Sequence, residues 1–308
     1  MAAYYNNETL IYRDGAFVNA ADAKMDLYSQ SLHYGYSVFE GIRSYRTVNG
    51  DTRIFKATEH FERLKRSAAA LNLPYHWTTE ELIEATYEVL RRNNQQDAYI
   101  RPIVFAPANM SFSLNTESYI AIQTWEMSPF LGNKALRVSV SSFQRPNPRA
   151  FHIEAKAGGH YVNSILASQE AKSKGFDEAL LTDMEGYAAE GPGANLFIEK
   201  DGELFTPSTG QILPGITRQT ILDTCEELGI AVTEKKINLV ELKNADTAFF
   251  CGTAAETVGF ASIDDTVFPL KWEDSISSII QQAYLAIVTE AGLDKVKAQL
   301  AQRTETLV

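Results

Sequence analysis

The sequence predicts two domains, an α+β half followed by an α/β half. Three observations predict it. The chain has 308 residues and is 45% hydrophobic, enough for roughly two cores of ordinary domain size. Its apolar pattern switches repeatedly between the alternation of strands and the three-to-four spacing of helices. Both patterns stop over 127–136, where Pro129 and Gly132 interrupt them. The expected organisation is a small α+β domain over 1–126, a connector over 127–136 and a larger domain over 137–308.

The first half opens on a hairpin, with Leu10-Ile11-Tyr12 turning through Arg13-Asp14-Gly15 into Ala16-Phe17-Val18. A second strand is expected over Val38–Tyr45, returning through Asn49-Gly50-Asp51 into Thr52–Phe55. One helix begins near Thr58 and carries apolar residues at helical spacing through Leu71. Another runs from Thr79 to Asn93, with Thr78-Thr79-Glu80-Glu81 as its cap. Strands are expected over Ala98–Phe105 and Tyr119–Trp125. The second half begins with strand Arg137–Ser141. A helix over Tyr161–Ser173 stops at Lys174-Gly175, a cation followed by glycine. Strands follow at Glu178–Thr182 and Leu196–Glu199, a helix at Thr217–Leu228 before Gly229, a strand at Thr247–Cys251 and a final helix at about Ser275–Ala291.

The net charge of -11 argues against a nucleic-acid partner, whose phosphates need a surplus of Lys and Arg. It leaves room for a local basic pocket holding a small anion. Cys225 and Cys251 form no CxxC pair, and both read as buried thiols. The five histidines (His33, His60, His76, His152, His160) show no HExxH or paired spacing, so no metal site is expected. GxSxG and GxxxxGK[ST] motifs are missing, as is the third glycine of GxGxxG after Gly191 and Gly193, which leaves hydrolase, P-loop and dinucleotide readings without support. The first residues lack a basic region followed by an apolar stretch, and no segment has the roughly 18 apolar residues of a membrane span. The cytoplasm is the expected location.

Several segments offer chemistry. Lys156 stands in Glu154-Ala155-Lys156-Ala157-Gly158-Gly159. A lysine that forms a Schiff base must be neutral to attack a carbonyl, and apolar surroundings favour that form. The two glycines leave room for a flat ring against the backbone. By itself the segment better suits a lysine in a surface loop, since one Lys near Gly is a weak signal. Glu190, in Ala189-Glu190-Gly191-Pro192-Gly193-Ala194-Asn195, could face a ring nitrogen as a rigidly held carboxylate, though the segment alone better suits a solvated turn residue. Leu213-Pro214-Gly215-Ile216-Thr217-Arg218 leads into a helix whose N–H groups suit a phosphate, with Thr217 either a ligand or an ordinary N-cap. Gly252-Thr253-Ala254-Ala255 follows an apolar strand and could form a second anion cradle. Arg63 could add charge or lie on a solvated helix face. Strand alternation puts Tyr99 and Arg101 on one face, where a phenol and a guanidinium could bind a carboxylate or pack across strands.

Six segments, in order, carry a resemblance. They are His33–Arg43 (HYGYSVFEGIR), Tyr99-Ile100-Arg101-Pro102, Ala155–Tyr161 (AKAGGHY), Glu190–Phe197 (EGPGANLF), Leu213–Arg218 (LPGITR) and Gly252–Glu256 (GTAAE). With them the chain resembles the class IV, fold type IV pyridoxal-phosphate aminotransferases, the D-amino acid aminotransferase-like architecture, and within these the branched-chain amino acid aminotransferases. The resemblance implies two α/β domains, pyridoxal 5′-phosphate as cofactor and at least a homodimer with active sites at the subunit interface. It implies a ping-pong transfer of the amino group of Leu, Ile or Val to 2-oxoglutarate. Lys156 would then be the catalytic lysine that bonds the cofactor and moves a proton at the substrate Cα. Glu190 would pair with the ring nitrogen and Tyr161 with the ring hydroxyl. Arg63, Ile216, Thr217 and Thr253 would hold the phosphate. N–H groups of Thr253 and Ala254, with Tyr99, would receive the substrate α-carboxylate, and Arg101 the second carboxylate of glutamate. Phe39, Arg43, Tyr161 and Met127 would shape the side-chain pocket with Tyr34 of the partner subunit.

Four positions depart from the family pattern: Tyr36 in place of a small Thr, His160 of Asn, Ala194 of Glu, and Met127 near a usual Trp. Tyr36 and Met127 are expected to bear on the substrate pocket. The sister activities on this fold are D-amino acid aminotransferase, (R)-amine transaminase and aminodeoxychorismate lyase. Tyr99-Ile100-Arg101 with Gly41-Ile42-Arg43 favours the branched-chain type. The set Lys156, Glu190 and Thr217 argues against a non-catalytic relative.

Overall fold

The computed structural model describes residues 4–127, 131–132 and 134–306. Residues 128–130 and 133 of the expected connector lie outside the described residues. The chain forms two compact units, one of Met1–Ser128 and Glu154–Val162, the other of Pro129–Ile153 and Asn163–Val308.

The first unit contains β1 (Leu10–Arg13), β2 (Ala16–Asn19), α1 (Gln30–Tyr34), β3 (Ser37–Phe39), β4 (Ile42–Arg46), β5 (Thr52–Ile54), α2 (Ala57–Ala70), α3 (Thr79–Arg92), β6 (Ala98–Phe105) and β7 (Tyr119–Glu126). The strands form one antiparallel sheet in the order β2-β1-β7-β6-β4-β5, with β3 also paired to β6. Asp14 and Gly15 both take positive φ, the conformation a two-residue hairpin turn demands. Thr78 and Glu81 form a reciprocal capping box at α3. Phe61 and Leu64 of α2 and Leu82 and Leu90 of α3 join Ile100, Val104, Ile120 and Ile122 of the sheet in one core.

The single strand expected over Val38–Tyr45 is two strands, β3 and β4, both paired to β6. The break falls at Glu40-Gly41. Glu40 turns its carboxylate into buried polar partners, and a Cβ on Gly41 would stand 2.2 Å from the Tyr99 hydroxyl. The segment Glu154–Val162, expected with the C-terminal domain, packs in the first unit. Val38 bridges Ala157, Phe39 N–H donates to the Lys156 carbonyl (3.0 Å) and Gly159 N–H to that of Gly35 (2.9 Å).

The second unit contains β8 (Leu136–Gln144), most of α4 (Tyr161–Ser173), β9 (Glu178–Thr182), β10 (Ala188–Glu190), β11 (Asn195–Lys200), β12 (Glu203–Thr206), α5 (Ile216–Leu228), β13 (Val232–Glu234), α6 (Leu239–Lys243), β14 (Thr247–Gly252), β15 (Glu256–Ile263), β16 (Thr266–Val267), α7 (Ile276–Val288) and α8 (Asp294–Thr306). Its sheet runs β10-β9-β8-β15-β14-β11-β12-β13, with β16 on β15. Because β10 also pairs with β11, six strands close into a ring. The closing pair is Glu190 opposite Asn195. Leu196 and Ile198 enter one core while Phe197 enters another. The strand is thus buried on both faces and reads as an unbroken apolar run. Cys225 and Cys251 are buried and free, as expected. Burial pushes the Cys225 thiol up to about 12. Among the described residues no helix is long and apolar enough to cross a membrane.

Candidate active site

In the first unit the expected side chains converge on Phe39. Lys156 Nζ donates to the Tyr161 hydroxyl at 2.7 Å. It lies 5.1 Å from the Phe39 ring centre and 5.2 Å from that of Tyr161, and the two rings meet edge to face at 4.8 Å. The Arg101 guanidinium lies 4.5 Å from the same Phe39 ring. One phenyl group therefore carries an amine and a guanidinium. Lys156 is held by its backbone, since its N–H donates to Ser67 Oγ at 3.1 Å. The glycines after it make room for the chain itself. A Cβ on Gly158 would stand 2.5 Å from Ser37 Oγ, and one on Gly35 would stand 2.7 Å from Gly159 Cα.

Tyr99 and Arg101 share a face, as strand alternation predicts. Arg101 Nη2 donates to the Tyr99 hydroxyl at 2.9 Å, while Arg101 Nε is buried without a hydrogen-bond partner. Arg43 donates to the Met127 carbonyl at 3.0 Å, so it fastens the end of β7. Tyr34 is exposed and packs against Phe112. Tyr36, expected to bear on the substrate pocket, packs on the core of the first unit and donates to the Leu71 carbonyl.

Arg63 is buried rather than on a solvated helix face. Its Nε and Nη2 donate to Glu40 Oε1 (2.7 Å) and Oε2 (2.9 Å), and His60 Nδ1 lies 2.7 Å from Oε2. Burial alone would raise the Glu40 carboxyl, but Arg63 and His60 outweigh it and hold it well below the usual carboxylate range. Burial lowers His60, and Glu40 only partly offsets that. The group is thus an ionised carboxylate between a guanidinium and a neutral imidazole. Sequence reasoning gives neither Glu40 nor His60 a role. The available signal is a carboxylate inside the apolar run Val38-Phe39-Glu40-Gly41-Ile42, which must be paired if it is buried.

In the second unit Glu190 ends β10 and is 5% exposed. It accepts from Leu213 N–H and Asn195 Nδ2, both at 3.1 Å. Arg145 Nε lies 2.9 Å from Glu190 Oε1 as an ion pair, too bent to count as a hydrogen bond. Sequence reasoning misses Arg145 because it is distant from Glu190 along the chain. The sheet order β8-β9-β10 brings them together, Arg145 N–H donating to the Thr182 carbonyl of β9 while Glu190 pairs with Leu181 of the same strand. The helix after Leu213 begins at Ile216. Its N-cap is Gly215, with no side-chain cap. Thr217 is therefore not the N-cap, and no side chain caps the amides of the first turn. Thr253 and Ala254 follow β14. The bend there runs beside the 191–194 turn, since a Cβ on Gly252 would lie 3.2 Å from the Gly193 carbonyl oxygen and 3.6 Å from Ala194 Cβ.

This donor set suits pyridoxal phosphate. In the first unit a half-buried lysine amine beside a phenol suits an aldehyde. In the second, a buried carboxylate paired with an arginine suits a ring nitrogen and an uncapped helix start suits a phosphate.

The model of the amino-transferase class IV family matches residues 37–263. The branched-chain-amino-acid aminotransferase of Pseudomonas aeruginosa is 39% identical over 290 residues, covering 92% of this chain and 94% of that protein. The crystal structure of the Escherichia coli branched-chain amino acid aminotransferase superposes with a TM-score of 0.89 at 37% identity, covering 94% of this chain and 97% of that one. The branched-chain amino acid aminotransferase from Thermobaculum terrenum, in its PLP-form, has a TM-score of 0.86 at 31% identity, covering 93% and 96%. The chain belongs to the class IV aminotransferases.

Proposed function

We propose that this protein is a pyridoxal-phosphate-dependent branched-chain amino acid aminotransferase. It moves the amino group of L-leucine, L-isoleucine or L-valine to 2-oxoglutarate in two half-reactions. The observation that carries this reading is the Phe39 ring with Lys156 on it and Arg101 beside it. A pocket that accepts both an isobutyl group and a second carboxylate needs an apolar wall and one cation.

The bound cofactor supplies the carbonyl that takes up the amine and the electron sink that stabilises charge at the substrate Cα. Lys156 Nζ takes the proton from Cα and is oriented by the Tyr161 hydroxyl. Tyr161 also meets the ring hydroxyl, and Glu190 holds the proton on the ring nitrogen. The amides at Ile216 and Thr217, with Thr253 and Arg63, bind the phosphate. The Arg63 guanidinium is fixed for that role by Glu40, which takes its Nε and Nη2. Amides of Thr253 and Ala254, with Tyr99, orient the α-carboxylate. The buried Nε of Arg101 receives the second carboxylate of glutamate. Phe39, Arg43 and Met127, with Tyr34 of the partner subunit, wall the side-chain pocket.

The reading includes a homodimer or higher homo-oligomer. Leu27, Tyr28, Leu32, Tyr34, Phe112 and Leu114 are all exposed. Their two segments are tied together by the Ser29–Ala108 bridge and the Tyr34–Phe112 ring contact. An apolar patch of this kind suits a partner. The reading also includes a cytoplasmic location, which the two buried, free cysteines suit.

Initial rates with L-leucine, D-alanine and (R)-1-phenylethylamine, each with 2-oxoglutarate, test the substrate. L-leucine is expected to be the donor. Turnover of D-alanine without L-leucine would overturn the assignment. Lys156→Ala is expected to lose the borohydride-sensitive absorption band of the bound cofactor.

A further inference from the structure

The ring of six strands in the second unit closes through one residue pair, Glu190 and Asn195. The chain between them is a tight turn in which Gly191 N–H donates to the Ala194 carbonyl at 2.8 Å. The backbone pair is doubled by the side chains. Asn195 Nδ2 donates to Glu190 Oε2 at 3.1 Å and to the Leu213 carbonyl at 3.0 Å. Leu213 N–H donates back to Glu190 Oε1. A Cβ on Gly215 would stand only 2.0 Å from Asn195 Oδ1, so the turn that opens α5 rests directly on the Asn195 amide. Asn195 is 4% exposed, Glu190 5% and Arg145 7%.

We propose that Asn195 is a positioning residue that sets the Glu190 carboxylate in register with the N-terminus of α5, so that the groups for the ring nitrogen and the phosphate form one rigid fixture. The inference rests on the assignment of Glu190 and α5 to the cofactor. A primary amide suits the place. It has two N–H donors in one plane, one for a carboxylate and one for a carbonyl. Aspartate has the same shape but no N–H, and would set a second negative charge beside Glu190 and an acceptor against the Leu213 carbonyl. Arg145 closes the other side of Glu190, so the carboxylate has little freedom except through Asn195 and Leu213. Rigidity matters here because a group that must meet a ring atom and a group that must meet a phosphate contribute together only if their separation is preset.

Three variants test this: Asn195→Asp, Gly215→Ala and Glu190→Gln. The first removes the donors at constant shape. The second pushes the amide from the far side and leaves its polar partners unchanged. The third tests the underlying assignment. Each apoprotein is titrated with pyridoxal phosphate, the visible band of the bound cofactor is followed against pH, and the thermal midpoint of the apoprotein is recorded. Asn195→Asp and Gly215→Ala are each expected to weaken cofactor binding by about 10- to 100-fold, the size of a lost hydrogen bond to a charged group. In Asn195→Asp the pH midpoint of the band moves upward, because added negative charge favours the protonated cofactor. If either variant lowers only the apoprotein midpoint, with wild-type cofactor affinity and band, Asn195 is structural and the proposal is overturned. Should one variant not fold, the other decides. If Glu190→Gln leaves the band and the affinity unchanged, the assignment of Glu190 fails. A changed Glu190→Gln beside wild-type behaviour in the other two overturns the Asn195 proposal alone.

Discussion

Gly41 shows what a missing side chain does at this site. Its absent Cβ is the space of the Tyr99 hydroxyl, 2.2 Å from where that carbon would be. The same hydroxyl accepts from Arg101, whose Nε is buried without a partner. A methyl at position 41 therefore displaces the phenol and, through it, the guanidinium. Gly41→Ala is expected to lower kcat/KM for glutamate about 10-fold or more, the scale of a lost charged hydrogen bond. The bound-cofactor spectrum should stay as in the wild type, since neither Tyr99 nor Arg101 is assigned to the cofactor. Steady-state kinetics in both directions would check it; a spectrum that changes with the rate would place Gly41 elsewhere in the mechanism. Glu40, next in sequence, acts on stability. Glu40→Gln leaves the buried Arg63 charge without its carboxylate, and breaking one partner of a buried ion pair costs about 3–5 kcal/mol. Urea unfolding would read that loss.

The segment that carries Lys156 is defined by backbone packing. Gly35 has φ +64 and would place a Cβ 2.7 Å from Gly159 Cα, so it meets two separate demands, a left-handed conformation and a close approach. Gly35→Ala is expected to cost about 1–3 kcal/mol, the range of overpacking, and to reduce borohydride trapping of the cofactor on Lys156. Gly15→Ala is the control. Gly15 also has positive φ, at a hairpin turn with open space around it, so it should cost stability without changing the trapping. These elements also show what the amino-acid pattern discloses. The hairpin at Asp14-Gly15, the capping box at Thr78–Glu81 and the glycine stop after α4 are local chemistry, and local chemistry is legible in a sequence. The break between β3 and β4 is not, because it depends on partners for Glu40 and Gly41 that are distant in sequence. Strand β15 is hard to read because Gly259 interrupts its pattern. In the fold that glycine makes room for Trp272, whose ring would be 2.4 Å from a Cβ there. Helix α8 carries little apolar signal, so the pattern gives no warning of it beyond the end of α7. In the site, Lys156 and Glu190 stand out only as members of an ordered set of segments. Arg145 does not stand out at all, since the order of strands β8-β9-β10, not spacing, sets it against Glu190.

At the scale of the molecule two properties follow. The exposed patch around Phe112, which is 90% exposed, is the surface that the proposed homo-oligomer would cover. Phe112→Glu is expected to shift the protein towards monomer in sedimentation and to lower activity, since Tyr34 packs on that ring. An unchanged oligomer would move the interface elsewhere.

Stability against pH is set in part by the Glu40–His60–Arg63 cluster, and both of its titrating groups act in one direction. His60 is lowered in the folded protein from an ordinary value of 6.5, first by burial. Below about pH 6.5 the unfolded chain binds a proton there that the folded chain refuses, so stability falls as pH drops. Glu40 is lowered from 4.5, burial being outweighed by Arg63 and His60. Its stabilisation is full above about pH 4.5 and is lost as pH falls towards its folded value. Unfolding in urea should thus be nearly independent of this cluster above neutrality and weaken in two stages below it. Each proton adds a slope of at most about 1.4 kcal/mol per pH unit. His60→Gln keeps a hydrogen-bond donor for Glu40 but cannot titrate. It is expected to flatten the stage between about pH 6.5 and pH 4.5 and leave the lower stage in place. A wild-type slope in that variant would show that the upper stage does not come from His60.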